Sequence, residues 1–384
     1  MDASARNFAD QLKAKAAELG FELRGITAAT TPNRLGAFHA WLEAGFHGTM
    51  EYLETRREAY SHPRHVLEGC RSILMLGIPY WHRDLESKRG ALPAGKVARY
   101  ASGEADYHDV IHAKLKSLKR WVLEQTPETQ VRGVVDTAPL LEREFGELAG
   151  LGWTGKNTLL LNREYGSYFF LAALLLDCEL PPDDAYPKSF CGTCTACLDH
   201  CPTDAFPSPF VLDASKCISY LTIEHRDLIE NEIAERFDGW LFGCDVCQEV
   251  CPWNRKVTPT TNEITASEIP PLEATDLLML DKDAFRQRFR KTPFWRPRRR
   301  GMLRNALLSL ATSEYELTED HKSRCVDLLR DEEPLVRMAA GWLLKQKNLI
   351  DWQTALHTAM KQENVPEVRD YLRGLVEDNA RDEA

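Results

Sequence analysis

Hydrophobic and polar positions alternate with two different periods over the first 180 residues. Segments 5–19 and 35–43 repeat apolar residues every three to four positions, which predicts amphipathic helices. Short apolar runs bounded by Gly, Pro or Asp predict strands at 21–26, 71–80, 131–135 and 168–176, the last of them central. Helices and strands therefore alternate, and we predict an α/β (α+β) domain over residues 1–180.

Residues 259–384 predict a mostly helical region with a weak internal repeat. The order P-x-V-R occurs at Pro334 and again at Pro366. Arg304 lies 33 residues before Arg337, which lies 32 residues before Arg369. A period of this length with paired helices predicts a short array of HEAT-like repeats.

Between these two regions, residues 181–258 hold eight of the eleven cysteines. The run CGTCTACLDHCP, which begins at Cys191, has the spacing C-x2-C-x2-C-x3-C-P of bacterial two-cluster ferredoxins. A second run, CDVCQEVCP, begins at Cys244, and its remote first ligand is Cys217. We predict a ferredoxin-type domain with two [4Fe-4S] clusters. The first would be held by Cys191, Cys194, Cys197 and Cys251, and the second by Cys201, Cys217, Cys244 and Cys247.

Structural zinc and disulfides are the alternatives for these cysteines. Zinc sites use paired C-x2-C knuckles and leave the two C-x3-C-P ends without a role. Disulfides are disfavoured because the N-terminal segment has no apolar export signal. Cys70, Cys178 and Cys325 remain, and their apolar or helical surroundings predict buried packing.

Length and charge restrict the possible partners. A chain of 384 residues predicts two or three domains, and no apolar run is long enough to span a bilayer. We therefore expect a cytoplasmic protein without a membrane partner. The absence of a coiled-coil pattern favours a monomer.

One basic segment departs from the net charge of -10. Segment 286–304 contains nine Lys or Arg and no acid, with Phe289, Phe294 and Trp295 interleaved. A solvated basic face is the alternative, but this density within an acidic chain favours contact with an RNA backbone. The predicted contacts are Arg286, Arg288, Arg290, Lys291, Arg296, Arg298, Arg299, Arg300 and Arg304.

Two stretches of the first domain carry candidate chemistry. Asp136 stands at the carboxyl end of the predicted strand 131–135, where ligands collect in α/β sheets. Its alternative role is to cap a helix that begins near Pro139. The segment GWTGKNT, residues 152–158, is either a ligand-binding loop or an ordinary turn. No GxGxxG follows the early strands, so a nicotinamide or flavin site of the Rossmann type has no support.

The segment VVDTAPLLEREFGELAGLGWTGKNTLLL, both cysteine runs, the phrase GCDVCQEVCPWN and the helical tail together resemble the epoxyqueuosine reductase family. That family is related to corrinoid-dependent reductive dehalogenases, and the likeness covers roughly residues 8–345. The resemblance implies cobalamin, two [4Fe-4S] clusters and an external electron donor such as a flavodoxin or ferredoxin system. It also implies a reaction on tRNA, in which epoxyqueuosine at the wobble position becomes queuosine, the last step of queuosine biosynthesis. The D-x-H-x-x-G pattern of a cobalt-ligating histidine is absent.

The resemblance also implies roles for particular residues. Asp136 matches the proton donor, and a carboxyl over an apolar cofactor face is expected to have a raised pKa. The cofactor-binding positions implied by the family or by proximity to cluster ligands are Arg57, Tyr107, His108, Lys156, Asn157, Thr158, Ser219 and Asp245.

Three other functions remain open from the sequence. One is a corrinoid reductive dehalogenase of a small molecule, which would not need a basic RNA-binding segment. Another is a ferredoxin-like electron carrier, which would not bind cobalamin. The third is a tRNA-binding protein whose iron–sulfur clusters are structural; such clusters would not be reducible.

Overall fold

The computed structural model describes residues 3–82, 95–103, 105–260, 264, 272–349 and 351–382. Unit 1 contains Met1–Arg83, Ser102–Ser215 and Asp245–Glu268, and unit 2 contains Asp84–Ala101, Lys216–Cys244 and Ile269–Ala384. The chain passes between the units several times, so the cysteine-rich segment has residues in both. The three-domain division made from the sequence stays a prediction.

The strands are β1 (Leu23–Ala28), β2 (Ser72–Pro79), β3 (Lys96–Val97), β4 (Val131–Val134), β5 (Trp153–Thr154), β6 (Leu160–Leu161), β7 (Phe169–Leu176) and β8 (Trp240–Phe242). The helices of unit 1 are α1 (Ala3–Glu18), α2 (Leu35–Glu43), α3 (Glu51–Thr55), α4 (Tyr107–Gln125), α5 (Glu142–Leu148) and α6 (Ala196–Asp199). Segment 216–244 of unit 2 contains α7 (Ile218–Ile223) and α8 (Asn231–Ala234). The next helix, α9 (Val246–Glu249), belongs to unit 1. The remaining helices of unit 2 are α10 (Ala274–Met279), α11 (Lys282–Phe289), α12 (Arg298–Thr312), α13 (Glu319–Asp327), α14 (Pro334–Gln346), α15 (Trp352–Gln362) and α16 (Pro366–Asp382).

Unit 1 is built around a four-stranded sheet in the order β1-β2-β7-β4. Every neighbouring pair is antiparallel, with Leu74 opposite Leu174 in the central pair. The apolar run at 168–176 therefore forms a central strand, as predicted. The mixed helix and strand composition is confirmed, but antiparallel pairing makes the domain α+β rather than a parallel α/β sheet.

Helices cover this sheet and complete its core. Helix α5 packs against β1, β2 and β7, whereas α4 packs against β4 and α1. Ile73, Met75 and Leu175 share one buried cluster with Phe145 of α5. Because β2 and β7 have almost no exposed residue, they form the rigid support from which the loops of the site extend.

Unit 2 is mainly helical. Helix α12 packs against α14, which in turn packs against α16. A short parallel pair, β3 and β8, lies in the same unit and contacts the helices through β8 and α12. No helix among the described residues is long and apolar enough to cross a membrane.

Candidate active site and iron–sulfur region

Asp136 lies in a tight turn directly after β4. Its backbone φ is 31°, and the Thr137 amide donates to the carbonyl oxygen of Val135 across it. Such a left-handed conformation is uncommon for a residue other than glycine and is concentrated at functional sites. The turn leaves the Asp136 side chain 43% exposed, so its carboxyl group opens to solvent.

Two side chains at the start of α4 bind the Asp136 carboxylate. Tyr107 Oη donates to Oδ2 at 2.5 Å, and His108 Nε2 lies 2.8 Å from Oδ1. The other imidazole nitrogen lies 2.6 Å from Asp106 Oδ1. Asp106 also caps the helix, because its carboxylate accepts from the His108 amide at 3.0 Å. The sequence DYH therefore places a phenol and an imidazole against Asp136 through ordinary helix capping.

Hydrogen bonds determine which of the three groups Asp106, His108 and Asp136 carries a proton. Burial lowers the pKa of His108, but hydrogen bonds to Asp106 and Asp136 outweigh it and raise that pKa to about 10. Burial acts on Asp136 in the opposite sense, yet the hydrogen bond with His108 leaves the Asp136 pKa below its usual range. The raised pKa expected for Asp136 is therefore not found. At neutral pH the proton is on His108, and Asp136 is ionised.

A raised carboxyl pKa is found instead at Glu142, the first residue of α5. Its Oε1 accepts from the Asp136 amide at 3.0 Å. Burial and then the adjacent Asp136 carboxylate raise the pKa of Glu142 to about 8. Sequence reasoning missed this residue. Its signal was a Glu six positions after the candidate acid, at the beginning of the predicted helix.

The helix-capping role considered for Asp136 is wrong. Helix α5 begins at Glu142, and its N-cap position is Leu141. The Asp136 carboxylate binds Tyr107 and His108 instead. The site contains a further contact that was missed, because Arg56 Nη1 donates to the Thr137 carbonyl at 3.1 Å. Arg57, the predicted neighbour, forms ion pairs with Glu43 and Glu54.

The GWTGKNT segment is a β5–β6 hairpin that contacts both the Asp136 side and the cysteine loops. Arg143, next to Glu142, donates to the carbonyl and hydroxyl oxygens of Thr158 at 2.8 and 3.2 Å. Lys156 Nζ donates at 2.8 Å to the carbonyls of Gly192 and Cys194. Asn157 Nδ2 donates to the Cys247 carbonyl at 3.3 Å. The hairpin therefore supports the cysteine backbone, and its predicted contacts with a corrin ring stay a prediction.

The first predicted group of cysteines is brought together in unit 1. Burial and then the nearby thiols of Cys251, Cys191 and Cys194 raise the pKa of Cys197 to about 11. Cys251 and Cys191 also pack in one cluster with Trp153, Phe190 and Trp253. No disulfide joins these four cysteines in the described part of the chain.

The chemistry of these four thiols suits a cluster of irons rather than a single ion. Among the residues that the structure describes, no group of three or more His, Cys, Asp or Glu side chains is placed to hold one metal ion. A cubane cluster binds each thiolate to a different iron, so its ligands lie farther apart than those of one ion. The donor set of four cysteines fits such a cluster.

The second predicted group is divided between the units. Cys201 and Cys247 belong to unit 1, whereas Cys217 and Cys244 belong to unit 2. The Cys201 sulfur accepts from the Ala205 amide at 3.3 Å, a contact that stabilises a thiolate. The grouping of these four ligands stays a prediction.

Comparison with known proteins decides the family. The model of epoxyqueuosine reductase QueG, DUF1730, matches residues 61–137, and that of the 4Fe-4S double cluster binding domain matches residues 190–254. An epoxyqueuosine reductase of Cyclobacterium marinum is 40% identical over 296 residues, which cover 77% of this chain and 94% of that protein. The chain belongs to the epoxyqueuosine reductase family. The resemblance, the oxidoreductase class and the two-cluster domain inferred from the sequence are thereby confirmed.

Solved epoxyqueuosine reductases share the fold along nearly the whole chain. The Bacillus subtilis structure matches with a TM-score of 0.87 and 26% identity, over 97% of this chain and 98% of that one. That structure has its catalytic loop swung out of the active site. Another, solved with an epoxyqueuosine-modified tRNA-Tyr stem loop, matches with a TM-score of 0.83 and 27% identity, over 97% and 98% of the two chains.

Two further positions expected from the family lie beside cysteines. Asp245 is buried, and its Oδ1 accepts from Gln248 Nε2 at 3.2 Å. Ser219 is half-buried in the first turn of α7, and its carbonyl accepts from the Thr222 hydroxyl at 3.3 Å. Their proposed place on an electron path is not tested by these contacts.

The basic segment 286–304 divides into exposed and buried residues. Exposed members are Arg286, Arg288, Arg290, Lys291, Arg296 and Arg298. Arg299 is nearly buried against Asp331 at 2.8 Å, and Arg300 lies 4.0 Å from Glu333.

Arg304 is fully buried, so we remove it from the predicted tRNA contacts. Phe289 and Phe294 are also core residues, packed against each other at 5.5 Å, and are not available for stacking on bases. Arg298 lies 4.4 Å from the centre of the half-buried Trp295 ring. The alternation of basic and aromatic residues in this segment therefore reflects exposed cations that surround buried aromatic side chains.

Proposed function

We propose that this chain reduces epoxyqueuosine to queuosine in tRNA. The net reaction takes two electrons and two protons, breaks both carbon–oxygen bonds of the epoxide, forms a carbon–carbon double bond and releases water. Membership of the family supports this reaction. The observation that carries it is the His108–Asp136 network, which holds a proton on the imidazole of His108 next to the exposed carboxylate of Asp136.

Cobalamin is the cofactor that the family resemblance implies, and it would supply the strongly reducing chemistry of the carbon–oxygen cleavage. The exposed side of Asp136 leaves its carboxyl group accessible to a substrate held by such a cofactor. We propose Arg57, Tyr107 and His108 as its nearest neighbours on this side. Lys156, Asn157 and Thr158 are the candidates on the hairpin, where the Thr158 hydroxyl accepts from Arg143 at 3.2 Å and keeps a hydrogen that suits an amide side chain of a corrin.

The protein's own groups move the proton. Asp136 accepts hydrogen bonds from Tyr107 on one oxygen and from protonated His108 on the other. Asp136 is ionised at neutral pH, so the proton for the epoxide oxygen must come from His108, whose Nε2 lies 2.8 Å from Asp136 Oδ1. Asp106 keeps the imidazole in place throughout, because it stays bonded to the other ring nitrogen.

Electrons would enter through the two [4Fe-4S] clusters. The first set of cysteines includes the exposed Cys194, so an external donor of the flavodoxin or ferredoxin type has access to it. We propose that Cys201, Cys217, Cys244 and Cys247 hold the second cluster. Ser219 and Asp245, each next to a ligand or two positions from one, would line the way from this cluster to the cofactor.

The helical region would hold the tRNA. Arg304, Arg337 and Arg369 recur on α12, α14 and α16, and these helices pack in sequence, which supports a HEAT-like array. The exposed cations of segment 286–300 are the proposed contacts with the RNA backbone. The wobble base must leave its stack to reach the site. We retain the proposed domains at 1–180, 181–258 and 259–384, and a cytoplasmic monomer.

The decisive experiment uses tRNA that carries epoxyqueuosine. Reconstituted protein, cobalamin and a strong reductant are incubated with it anaerobically, and nucleosides are measured by mass spectrometry. Formation of a nucleoside lighter by one oxygen, dependent on cobalamin and strongly reduced by Asp136→Asn, supports the proposal. Thr137→Ser, a change in the same turn, serves as the matched control. No conversion with reducible clusters and bound cobalamin would favour a small-molecule reductase, and failure to bind cobalamin would favour an electron carrier.

A further inference from the structure

Two adjacent residues of α12, Arg304 and Asn305, have no exposed surface. Arginine and asparagine are rarely buried unless every polar hydrogen has an acceptor. Both belong to unit 2, as do all of the groups that they contact. The pair is therefore a structural element whose purpose can be inferred from its acceptors.

The Arg304 guanidinium uses all five of its N–H groups. Nη1 donates to the carbonyls of His225 and Asp227 at 2.9 and 2.8 Å, and Nη2 donates to that of Leu221 at 2.5 Å. Nε and Nη2 donate to Asn305 Oδ1 at 3.0 and 2.9 Å. Three of these acceptors are backbone oxygens at or just after the end of α7. A helix end presents unpaired carbonyls with partial negative charge, so the cation compensates for them.

Asn305 extends the same contact to a second segment. Its Nδ2 group donates at 2.8 Å to the carbonyls of Thr222 in α7 and Leu241 in β8. Thr222 itself is buried, and its hydroxyl accepts from the Gly243 amide at 2.9 Å while donating to the Ile218 carbonyl at 2.7 Å. The side chains of Asn305 and Thr222 thus join helix α7 to the end of β8.

Each of these two segments carries a predicted cluster ligand. Cys217 is the N-cap residue of α7, and its carbonyl accepts from the Leu221 amide at 2.9 Å, the same residue whose carbonyl binds Arg304. Cys244 follows Gly243 directly. Gly243 has a φ of 68°, and a side chain there would collide with Ala98. The backbone that presents both cysteines is therefore fixed within one or two residues of each.

Packing alone does not explain a buried cation at this position. Taking a charge out of water is costly, and an apolar residue of similar size often stabilises a core at least as well. An apolar residue, however, offers no donor to the carbonyls of Leu221, His225 and Asp227. The directional bonds are what Arg304 adds.

We propose that Arg304 and Asn305 are positioning residues for the second [4Fe-4S] cluster, which they serve by fixing the segments that carry Cys217 and Cys244. The helical C-terminal region then determines the assembly of an electron-transfer centre in addition to holding RNA. This inference rests on the proposed cluster ligands and not on the tRNA reaction.

The test measures iron and acid-labile sulfide in the full chain after anaerobic reconstitution. Two cubanes correspond to about eight irons per chain in the wild type. Arg304→Met should retain about four, with the electron paramagnetic resonance signal of only one reduced cluster. Arg304→Lys, which keeps the charge and some donors, should retain an intermediate amount. Asn305→Ser, a milder change, applies the same test if Arg304→Met does not fold.

Arg337 provides a matched control. It occupies the next position of the repeat, is also buried, and pairs with Glu363 at 2.6 Å and with the Asp331 carbonyl at 2.8 Å. Arg337→Met should lower the melting temperature of the cluster-free chain yet retain about eight irons. Equal iron loss in both arginine variants, loss of both clusters, or an unchanged signal in Arg304→Met would overturn the inference. A wild type with only four irons would overturn it too, whereas a failed tRNA assay would leave the iron result intact.

Discussion

Replacing His108 by glutamine separates the position of Asp136 from its supply of protons. A glutamine amide can still donate to Asp136 Oδ1, so much of the hydrogen-bond geometry is retained. It cannot carry the extra proton that His108 holds because of Asp106 and Asp136. The substitution therefore tests whether the imidazole is the proton store or merely a support.

The expected loss of rate follows from the protonation states of His108 and Asp136 at pH 7. In the wild type, His108 has a pKa of about 10 and remains protonated throughout the neutral range. Without it, Asp136 must bind its own proton with a pKa near the ordinary value of about 3.9, so only about one molecule in a thousand is protonated at pH 7. We expect single-turnover reduction at pH 7 to slow by the factor typical of a lost general acid, about 10²- to 10⁴-fold. The loss should shrink about tenfold for each unit by which the pH is lowered toward 5.

The assay is single-turnover nucleoside analysis between pH 5 and 9, with cobalamin and both clusters in place. His112→Gln is the matched control, since His112 is exposed on the same helix and has no hydrogen bond to Asp136 among the described contacts. An equal rate loss at every pH would assign His108 a supporting role only. An unchanged rate at pH 7 would refute the proton-store argument.

The folding stability should also depend on pH through His108, and the direction of its pKa shift determines the sign of that dependence. The folded state raises the pKa of His108 from 6.5 to about 10, so it binds the proton more tightly than the unfolded chain. The resulting stabilisation is complete below about pH 6.5 and is lost as the pH rises through about 10. The difference in melting temperature between wild type and His108→Gln should therefore be largest near pH 6 and vanish above pH 10.

Further predictions concern the residues around the site. Glu142→Gln should gain stability over the wild type as the pH rises from 4.5 to about 8, because the folded state resists ionisation of Glu142; melting curves at pH 5 and 9 measure this. Lys156→Met should accelerate bleaching of the first cluster in air several-fold, whereas Lys188→Met should not, since only Lys156 binds the carbonyls of Gly192 and Cys194. A double Arg290→Glu, Lys291→Glu variant should bind tRNA more weakly and reduce the salt slope by about 2, while Arg6→Glu in unit 1 leaves both unchanged.

The sequence predicted the elements of unit 1 better than their arrangement. Apolar runs located the four strands of the main sheet to within two residues, whereas the short strands β5 and β6 were not predicted. Strand direction depends on which edges pair, and that information lies in contacts between residues about a hundred positions apart, such as Leu74 and Leu174. Alternation of helices and strands therefore suggested an α/β domain where the sheet is antiparallel.

The candidate site shows the same limit at the level of side chains. Cysteine spacing predicted the first cluster ligands, because their chemistry requires that residue type. The pKa order of Asp136, His108 and Glu142 could not be predicted, since it depends on hydrogen bonds from the turn after β4 to α4 and to the start of α5. Likewise, Arg304 has the sequence surroundings of a surface cation, and only its burial and its five hydrogen bonds to four acceptors reveal another role.

Helix α5 and the β5–β6 hairpin connect the proton site to the first cluster within unit 1. Glu142 binds the Asp136 amide, and the next residue, Arg143, binds Thr158 on the hairpin. Two positions earlier on that hairpin, Lys156 binds the Cys194 carbonyl. Because the hairpin also binds the backbone of Gly192 and Cys194, the turn at Asp136 and the first group of cysteines share one set of supporting contacts within unit 1.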